Sequence, residues 1–180
     1  MSFLIALVAV LTVLCLLNLL LVFGVIRRLR EHTELLAAQK GGTATVSIGE
    51  RISDFEATTV DGMPLSNADL GAETVAAFFS PSCKPCQAKL PRFVEYAGQL
   101  PGGRDQVLVT VAAEDAAEAS EFVRKLSPVA RVVVEEGNGP VAEAFGVQMF
   151  PTLLRVAPND AGELVVTANR VRLDRALATA

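Results

Sequence analysis

The sequence predicts an α/β fold organised around one mixed sheet. Apolar runs of strand length alternate with segments of helical spacing, and the last two runs follow each other across a turn with no helix between them. Such alternation is typical of parallel strands joined by helices, whereas a terminal hairpin adds antiparallel strands. We therefore expect a central mixed sheet flanked by helices.

The strands are predicted from short apolar runs that turn residues interrupt. Val46–Val60 is predicted to form a short hairpin arm, because Asp61-Gly62 is a strong turn dipeptide. The uninterrupted run Thr74–Phe79 suits a strand buried on both faces. The remaining predicted strands are Val107–Val111, Val129–Val134, a strand after Thr152 through Val156, and Leu164–Ala168.

The helices are predicted from apolar residues at helical spacing. Residues 83–99 have this spacing, and Gly98 and Pro101 end the segment. Further helices are expected at Ala116–Leu126, Pro140–Phe145 and Val171–Ala178. The phenylalanines expected in the core are Phe55, Phe78, Phe79, Phe93 and Phe145.

The composition narrows the possible functions. The 180 residues include 16 basic and 20 acidic side chains, for a net charge of −4, and allow one domain with a tail. An acidic chain has no surplus of positive charge to neutralise phosphates, so nucleic acid is not an expected partner. Three cysteines and one histidine are too few for most protein-only zinc sites.

An apolar segment opens the sequence. The first 26 residues carry no charge, and a helix from Phe3 to Ile26 covers about 36 Å, enough to cross the hydrocarbon core of a bilayer. A cleavable signal peptide would have a charged start and a shorter apolar run of roughly 7–15 residues. We therefore expect one transmembrane helix at 3–26 in contact with lipid, a juxtamembrane helix and linker at 27–45, and a globular domain at 46–180.

Cys83-Lys84-Pro85-Cys86 is the motif that carries chemistry. It stands between a predicted buried strand and a predicted helix, the placement in which a C-x-x-C becomes a redox pair. The N–H groups and the positive dipole at a helix N-terminus favour a thiolate at the first cysteine. Lys84 adds positive charge there, and Pro85 stiffens the first turn.

The competing interpretation of this motif is half of a structural metal site. Such a site needs a second pair of ligands. The only other cysteine and the only histidine, Cys15 and His32, lie in or beside the apolar segment. We therefore expect a redox-active disulfide between Cys83 and Cys86, with no metal and no other cofactor.

Three further motifs stand around the C-x-x-C. Ile48-Gly49-Glu50 opens the domain, Pro91 follows the second cysteine within the helix, and Gly146–Thr152 reads G-V-Q-M-F-P-T. In this order and spacing, the chain from Ile48 to its end resembles the thioredoxin superfamily. It is most similar to the membrane-anchored TlpA/ResA-like thiol–disulfide oxidoreductases and their AhpC/TSA–redoxin relatives, and this resemblance implies a thioredoxin-like fold.

The resemblance also implies a role for each matching residue. Cys83 would be the exposed nucleophile, and Cys86 the more buried resolving cysteine. Pro151 would be cis and would shape a substrate groove together with Phe150 and Thr152, and the backbone of Phe150 would pair with a substrate strand. The implied activity is the reduction of disulfides in protein substrates, with electrons supplied by an upstream donor.

The chain departs from the family pattern at several positions. Ser82 replaces the usual tryptophan, which makes this flank similar to the accessory thioredoxin-like proteins of methylamine dehydrogenase maturation, and Ser53 replaces a proline of the opening segment. Ala77 takes the place of a buried, proton-shuttling aspartate, and Lys89 that of a helix glutamate. We expect these changes to alter the rate and the potential, not the type of reaction.

Two other functions compete with this one: a peroxiredoxin-like thiol peroxidase with antioxidant activity, and a non-catalytic binding module. Peroxidase chemistry uses Pro-x-x-x-(Ser/Thr)-x-x-Cys; Ser80 fits the hydroxyl position, but Ala76 stands where the proline belongs. The intact C-x-x-C disfavours a module without catalysis.

Two opposing arguments concern the side of the membrane on which the domain lies. Arg27, Arg28 and Arg30 come after the apolar segment and favour a cytoplasmic domain. Relatives of this build hold the domain outside the cytoplasmic membrane, so the resemblance implies the extracytoplasmic side, which we expect here.

Overall fold

The computed structural model describes residues 46–71 and 73–173, together with the isolated positions Ile5, Leu7, Thr12, Leu14 and Asn18, which are helical. The chain divides into two units, Met1–Gly41 and Gly42–Ala180, and the elements below belong to the second. The predicted anchor at 3–26, apart from those five positions, and the predicted linker at 27–45 lie outside the described residues. Within the described part of the chain, no helix is both long and apolar enough to cross a membrane.

Seven strands form two sheets in the described part of the chain. A small hairpin consists of β1 (Glu56–Thr58) and β2 (Pro64–Ser66). The central sheet has the order β5-β4-β3-β6-β7. Its strands are β3 (Thr74–Phe79), β4 (Val107–Ala112), β5 (Arg131–Glu135), β6 (Thr152–Pro158) and β7 (Leu164–Ala168).

The central sheet is mixed, as the sequence predicts. Strands β3, β4 and β5 are parallel to one another, while β6 runs antiparallel to β3 and β7 antiparallel to β6. Strand β3 lies in the middle of the sheet and is buried along its whole length. Its C-terminal end is the place where the chemistry-bearing motif follows.

Three helices accompany this sheet within residues 46–71 and 73–173: α1 (Lys84–Gly98), α2 (Ala116–Leu126) and α3 (Pro140–Ala144). Short 3-10 turns cover Asn67–Asp69 and Gly103–Gln106. The three correspond to helices predicted from the sequence. The sequence also predicts a fourth helix at Val171–Ala178. Residues 171–173 are not helical, so no helix begins at Val171 as predicted. The rest of the predicted helix lies outside the described residues.

The core consists of two buried clusters, one on each face of the central sheet. Alternate residues of β3 supply both, because successive strand side chains point to opposite faces. Ala77 and Phe79 join the cluster beneath α1 and α2, whereas Phe78 joins the cluster with α3 and the segment before β1. The five phenylalanines predicted in the core are all buried.

The predicted hairpin arm Val46–Val60 is wrong in its extent. Only Glu56–Thr58 pairs with the hairpin partner β2. The preceding segment instead lies along β7, with hydrogen bonds from Gly49 N to Val166 O (2.8 Å) and from Ile52 N to Leu164 O (2.9 Å). The unpaired backbone groups of an edge strand attract such a segment, so the chain covers the edge of β7 before it turns into the hairpin.

A second correction concerns the start of β5. The sequence predicts a strand from Val129, but the strand begins at Arg131. The Val129 N–H donates to the Leu126 carbonyl at 2.9 Å and so extends the last turn of α2. The β-branched side chain does not prevent this local bond.

Candidate active site

A tight turn connects the central strand β3 to helix α1. It comprises Ser80, Pro81, Ser82 and Cys83, and the Cys83 N–H donates to the Ser80 carbonyl at 3.2 Å. Proline at the second position of such a turn presets the required backbone angle. The hydroxyl oxygens of Ser80 and Ser82 lie 2.9 Å apart within the turn. The turn therefore fixes Cys83 at the end of the fully buried central strand of the sheet.

Cys83 is the N-cap residue of α1. Its backbone is extended, with φ −88° and ψ 111°, and its carbonyl accepts from the N–H groups of Cys86 (3.0 Å) and Gln87 (3.1 Å). The first turn contains no acidic residue, and no side chain caps it. The positive end of the helix dipole is thus directed at a half-buried sulfur.

The second thiol, that of Cys86, lies inside the protein. Its exposed fraction is 0%, and the Ser80 N–H approaches its sulfur at 3.5 Å. Burial raises the pKa of the Cys86 thiol far above its ordinary range, and the hydrogen bond with Cys83 raises it further. The Ser80 N–H and the charge of Lys89 act in the opposite direction on this pKa. Cys86 is therefore held as a neutral thiol at neutral pH.

A cis peptide bond joins Phe150 to Pro151, directly before β6. Because Phe78 of β3 pairs with Thr152 of β6, this bond lies beside the end of β3. The Cys83 thiol donates to the Phe150 carbonyl, with a sulfur–oxygen distance of 3.6 Å. The nucleophile candidate and the proline motif are thus adjacent in space, although 67 residues separate Cys83 from Phe150 in the sequence.

The surface beside the thiol is uneven in exposure. Pro151 is buried, Phe150 is half-buried and packs against both core clusters, and Met149 is 49% exposed. The Thr152 hydroxyl donates to the Met149 carbonyl at 2.7 Å, so it holds the loop before the cis bond. The loop that contains Met149 and Phe150 therefore lies next to the Cys83 sulfur and is partly exposed.

The predicted site residues are therefore found in two groups. Cys83, Cys86, Phe150, Pro151 and Thr152 come together at the end of β3. Lys84 and Pro85 occupy the first two positions of α1; Lys84 is exposed and Pro85 half-buried. Among the described residues, no group of three potential metal-ligating side chains forms.

Two contacts of the site escape the sequence analysis. Ser80 contributes a backbone N–H to the Cys86 sulfur, which no side-chain pattern reveals. Gln87 donates from its side-chain amide to the Pro81 carbonyl at 2.6 Å. A glutamine four residues after an N-cap is too common to carry a signal, because its partner depends on the shape of the turn.

The two departures predicted to affect proton transfer lie close to Cys86. Ala77 is completely buried in the same cluster as Cys86, so β3 offers no carboxylate at this position. Lys89 is half-buried, one helical turn after Cys86 on α1, and its charge favours the thiolate. In the described structure, therefore, Ala77 offers Cys86 no carboxylate that could accept its proton, and Lys89 acts on Cys86 through its positive charge.

A C-x-x-C at the junction of a central strand and a helix, on a mixed sheet of this order, defines the class of thioredoxin-like thiol–disulfide oxidoreductases. Within that class, the chain belongs to the AhpC/TSA family, whose model matches residues 48–160. No curated protein matches the chain.

Solved structures are similar over most of the globular unit. The dsbF protein of MTB, solved in mixed oxidised and reduced forms, is 27% identical with a TM-score of 0.51, over 67% of this chain and 87% of its own. The exposed lipoprotein thioredoxin of Streptococcus pneumoniae is 26% identical with a TM-score of 0.50, over 68% and 93%. A thiol:disulfide interchange protein from Bacteroides sp. shares the fold at 16% identity, with a TM-score of 0.53, over 72% and 84%.

Proposed function

We propose that this protein is a membrane-tethered oxidoreductase that reduces disulfide bonds in other proteins through Cys83 and Cys86. The observation that carries the proposal is the asymmetry of the two thiols. Cys83 is half-buried at the N-cap of α1 and contacts the Phe150 carbonyl, whereas Cys86 is fully buried one turn behind it. Only the first thiol can meet a large substrate.

The reaction has two exchange steps. The Cys83 thiolate attacks one sulfur of the substrate disulfide, and the other sulfur leaves with the bonding electron pair as a thiolate. The Cys86 thiol then loses its proton to solvent or to a basic group and attacks the Cys83 sulfur. The second substrate sulfur leaves as a thiolate, so the substrate gains two electrons and the Cys83–Cys86 pair becomes a disulfide.

The environment of the thiols sets this order of attack. Burial keeps the pKa of Cys86 high, so its thiol does not compete for the substrate in the first step. Once Cys83 is part of a mixed disulfide, the neighbouring Cys86 is the nearest sulfur, and proximity favours its attack. The Phe150 backbone and Pro151 would hold the substrate in an extended form beside Cys83 during both steps.

The disulfide is the only redox group that this cycle needs. The oxidised pair must receive two electrons before it can act again, so an upstream dithiol or other electron donor is a required partner. Residues 3–26 would hold the protein at the bilayer. An extracytoplasmic position is supported by the similar pneumococcal protein, whose name describes it as an exposed lipoprotein.

The first test is the reduction potential of the pair in the full chain, titrated against defined thiol buffers, with Cys83→Ser as control. A value near that of thioredoxin, about −270 mV, would support a reductase, whereas a value near about −120 mV would indicate an oxidant. If the wild type forms no reversible disulfide, the proposal is wrong. Rapid turnover of hydrogen peroxide, in place of protein disulfides, would indicate the peroxidase alternative.

The second test concerns the membrane. Single-cysteine variants in the globular unit are labelled from outside intact cells with an impermeant thiol reagent. Labelling without disruption of the cells would support the extracytoplasmic side. Labelling only after disruption would indicate the cytoplasmic side, which Arg27, Arg28 and Arg30 favour.

A further inference from the structure

Gln87 binds the turn before Cys83 at two points. Its backbone N–H donates to the Cys83 carbonyl at 3.1 Å, as expected within the first turn of a helix. Its side-chain amide donates to the Pro81 carbonyl at 2.6 Å. The second bond is not part of the helix, and it ties the middle of the turn back to α1.

The same turn supplies the backbone donor that faces the second thiol. The Ser80 N–H lies 3.5 Å from the Cys86 sulfur. Ser80 directly follows the buried strand β3, so its position on one side is fixed by the sheet. On the other side it is fixed by the turn, whose closing bond from Cys83 N to Ser80 O is 3.2 Å long.

We propose that Gln87 is a positioning residue for the second exchange step. By holding Pro81 against α1, it keeps the Ser80 N–H directed at the Cys86 sulfur and so favours Cys86 as the attacking group. This inference rests on the function proposed above. Gln87 is exposed and directly follows Cys86 in the sequence. In the bonds described, Gln87 contacts neither sulfur, so its role is one of positioning.

The surroundings of Cys86 explain why one N–H matters. The titratable groups that act on it, among the described residues, are Cys83 and Lys89. The strand behind it presents Ala77 and Phe79, which carry no charge. Burial raises the pKa of Cys86, whereas the Ser80 N–H and the charge of Lys89 lower it. If Ser80 moved away, the charge of Lys89 would be the only one of these two interactions left to stabilise the Cys86 thiolate.

The test follows the two steps separately in the full chain. The reduced protein is mixed with a symmetric aromatic disulfide whose thiolate product is coloured. Attack by Cys83 releases one coloured thiolate and leaves the other half bonded to Cys83. Attack by Cys86 on the Cys83 sulfur then releases the second coloured thiolate with its electron pair, and the Cys86 proton passes to solvent.

Two variants of Gln87 and one matched control are compared with the wild type between neutral and alkaline pH. Gln87→Met keeps the length of the side chain and removes the amide. Gln87→Glu keeps its shape and replaces the donor by an acceptor. Gln99→Met makes the same chemical change at the opposite end of α1. Thermal unfolding of each variant checks that the fold is retained.

We expect Gln87→Met to slow the second release about three- to tenfold at neutral pH, the usual worth of one hydrogen bond. The midpoint of its pH profile should move upward, while the first release stays within twofold of the wild type, and Gln99→Met should change neither phase. Gln87→Glu should slow the second phase at least as much. The inference would be overturned if, in both Gln87 variants, the second release kept the rate and the pH midpoint of the wild type. That result would leave the proposed function intact. A wild type that releases no coloured thiolate would overturn both.

Discussion

The N-termini of α1 and α2 meet the same physical demand in opposite ways. Every helix begins with N–H groups that have no partner within the helix. In α2, Asp115 accepts from the Glu118 N–H at 2.8 Å, and the Glu118 carboxylate accepts from the Glu114 N–H at 2.8 Å. In α1, the N-cap is Cys83, and its side chain makes no such bond. The comparison shows that the first turn of α1 is left without an anion of its own.

Helix α3 makes this contrast stronger. It also lacks a capping side chain at its N-cap, Gly139, but the carboxylate of Glu135 accepts from the N–H groups of Val141 (2.7 Å) and Ala142 (3.1 Å). A Cβ at Gly139 would lie 2.6 Å from the Glu135 side chain, so the close approach requires glycine there. Two helix starts are thus neutralised by carboxylates, and the start that carries the cysteines remains available to a thiolate.

The largest effect expected from breaking this contrast is that of Cys83→Ser. Serine has no sulfur with which to form a mixed disulfide, so reduction of a protein disulfide should fall to the uncatalysed rate. Serine is also a favourable N-cap, so the reduced variant should be more stable than the wild type by about 0.5 kcal/mol. A disulfide-reduction assay and urea unfolding of the reduced proteins measure the two effects. Residual turnover would contradict the assignment of Cys83 as the nucleophile.

The next effect is on stability and concerns α3. Glu135→Ala should lower the free energy of unfolding by about 2–3 kcal/mol, because two buried N–H groups lose a charged acceptor. Glu135→Gln retains one acceptor oxygen and serves as the matched control, with a smaller loss expected. Urea unfolding measures both. A loss below about 0.5 kcal/mol for the alanine variant would show that the carboxylate is not what holds the start of α3.

The third prediction uses pH to sharpen the difference between the two thiols. The pKa of Cys86 is raised in the folded protein, so the folded state retains a proton that the unfolded state loses above its thiol pKa of about 8.5. The stability of the reduced protein should therefore be unaffected by Cys86 below that pH and fall by about 1.4 kcal/mol per pH unit above it. Urea unfolding of the reduced wild type and of Cys86→Ala between neutral and alkaline pH tests this. Parallel pH profiles for the two proteins would contradict it.

The smallest effect belongs to α2. Asp115→Ala removes the N-cap acceptor at an exposed position and should cost about 1 kcal/mol. Disulfide reduction should not change, since α2 does not contact either sulfur in the bonds described. Chemical denaturation and the reduction assay together check this. A loss of activity without a loss of stability would show that α2 has a function beyond the support of the sheet.

The sequence predicts well what depends on local pattern. The buried run of β3, the C-x-x-C at its end and the spacing of α1 are all visible in consecutive residues, and the mixed sheet follows from the order of elements. The bonds of Glu135 are not predictable in this way, because its partners depend on a bend at Gly139. The coverage of β7 by residues 49–52 was missed for a related reason, since the two segments lie far apart in the sequence.

In the site itself, the resemblance to a family supplied what pattern alone could not. The proximity of Phe150 to Cys83 depends on β6 returning beside β3, and no local signal in either segment indicates it. Ser80 and Gln87 act through a backbone N–H and a backbone carbonyl. Because every residue but proline offers an N–H, and every residue a carbonyl, such contacts have no signature in residue type.

The segment that covers β7 has a consequence for self-association. An open sheet edge offers unpaired backbone N–H and carbonyl groups to other extended chains and so favours uncontrolled pairing between strands. Here Gly49 and Ile52 bind backbone groups of β7, and the Val60 N–H binds the Val132 carbonyl of β5 at the other edge. A truncation that starts after Ile52 would bare the β7 edge, and we expect it to aggregate, so the protection of the sheet depends on residues well outside the active site.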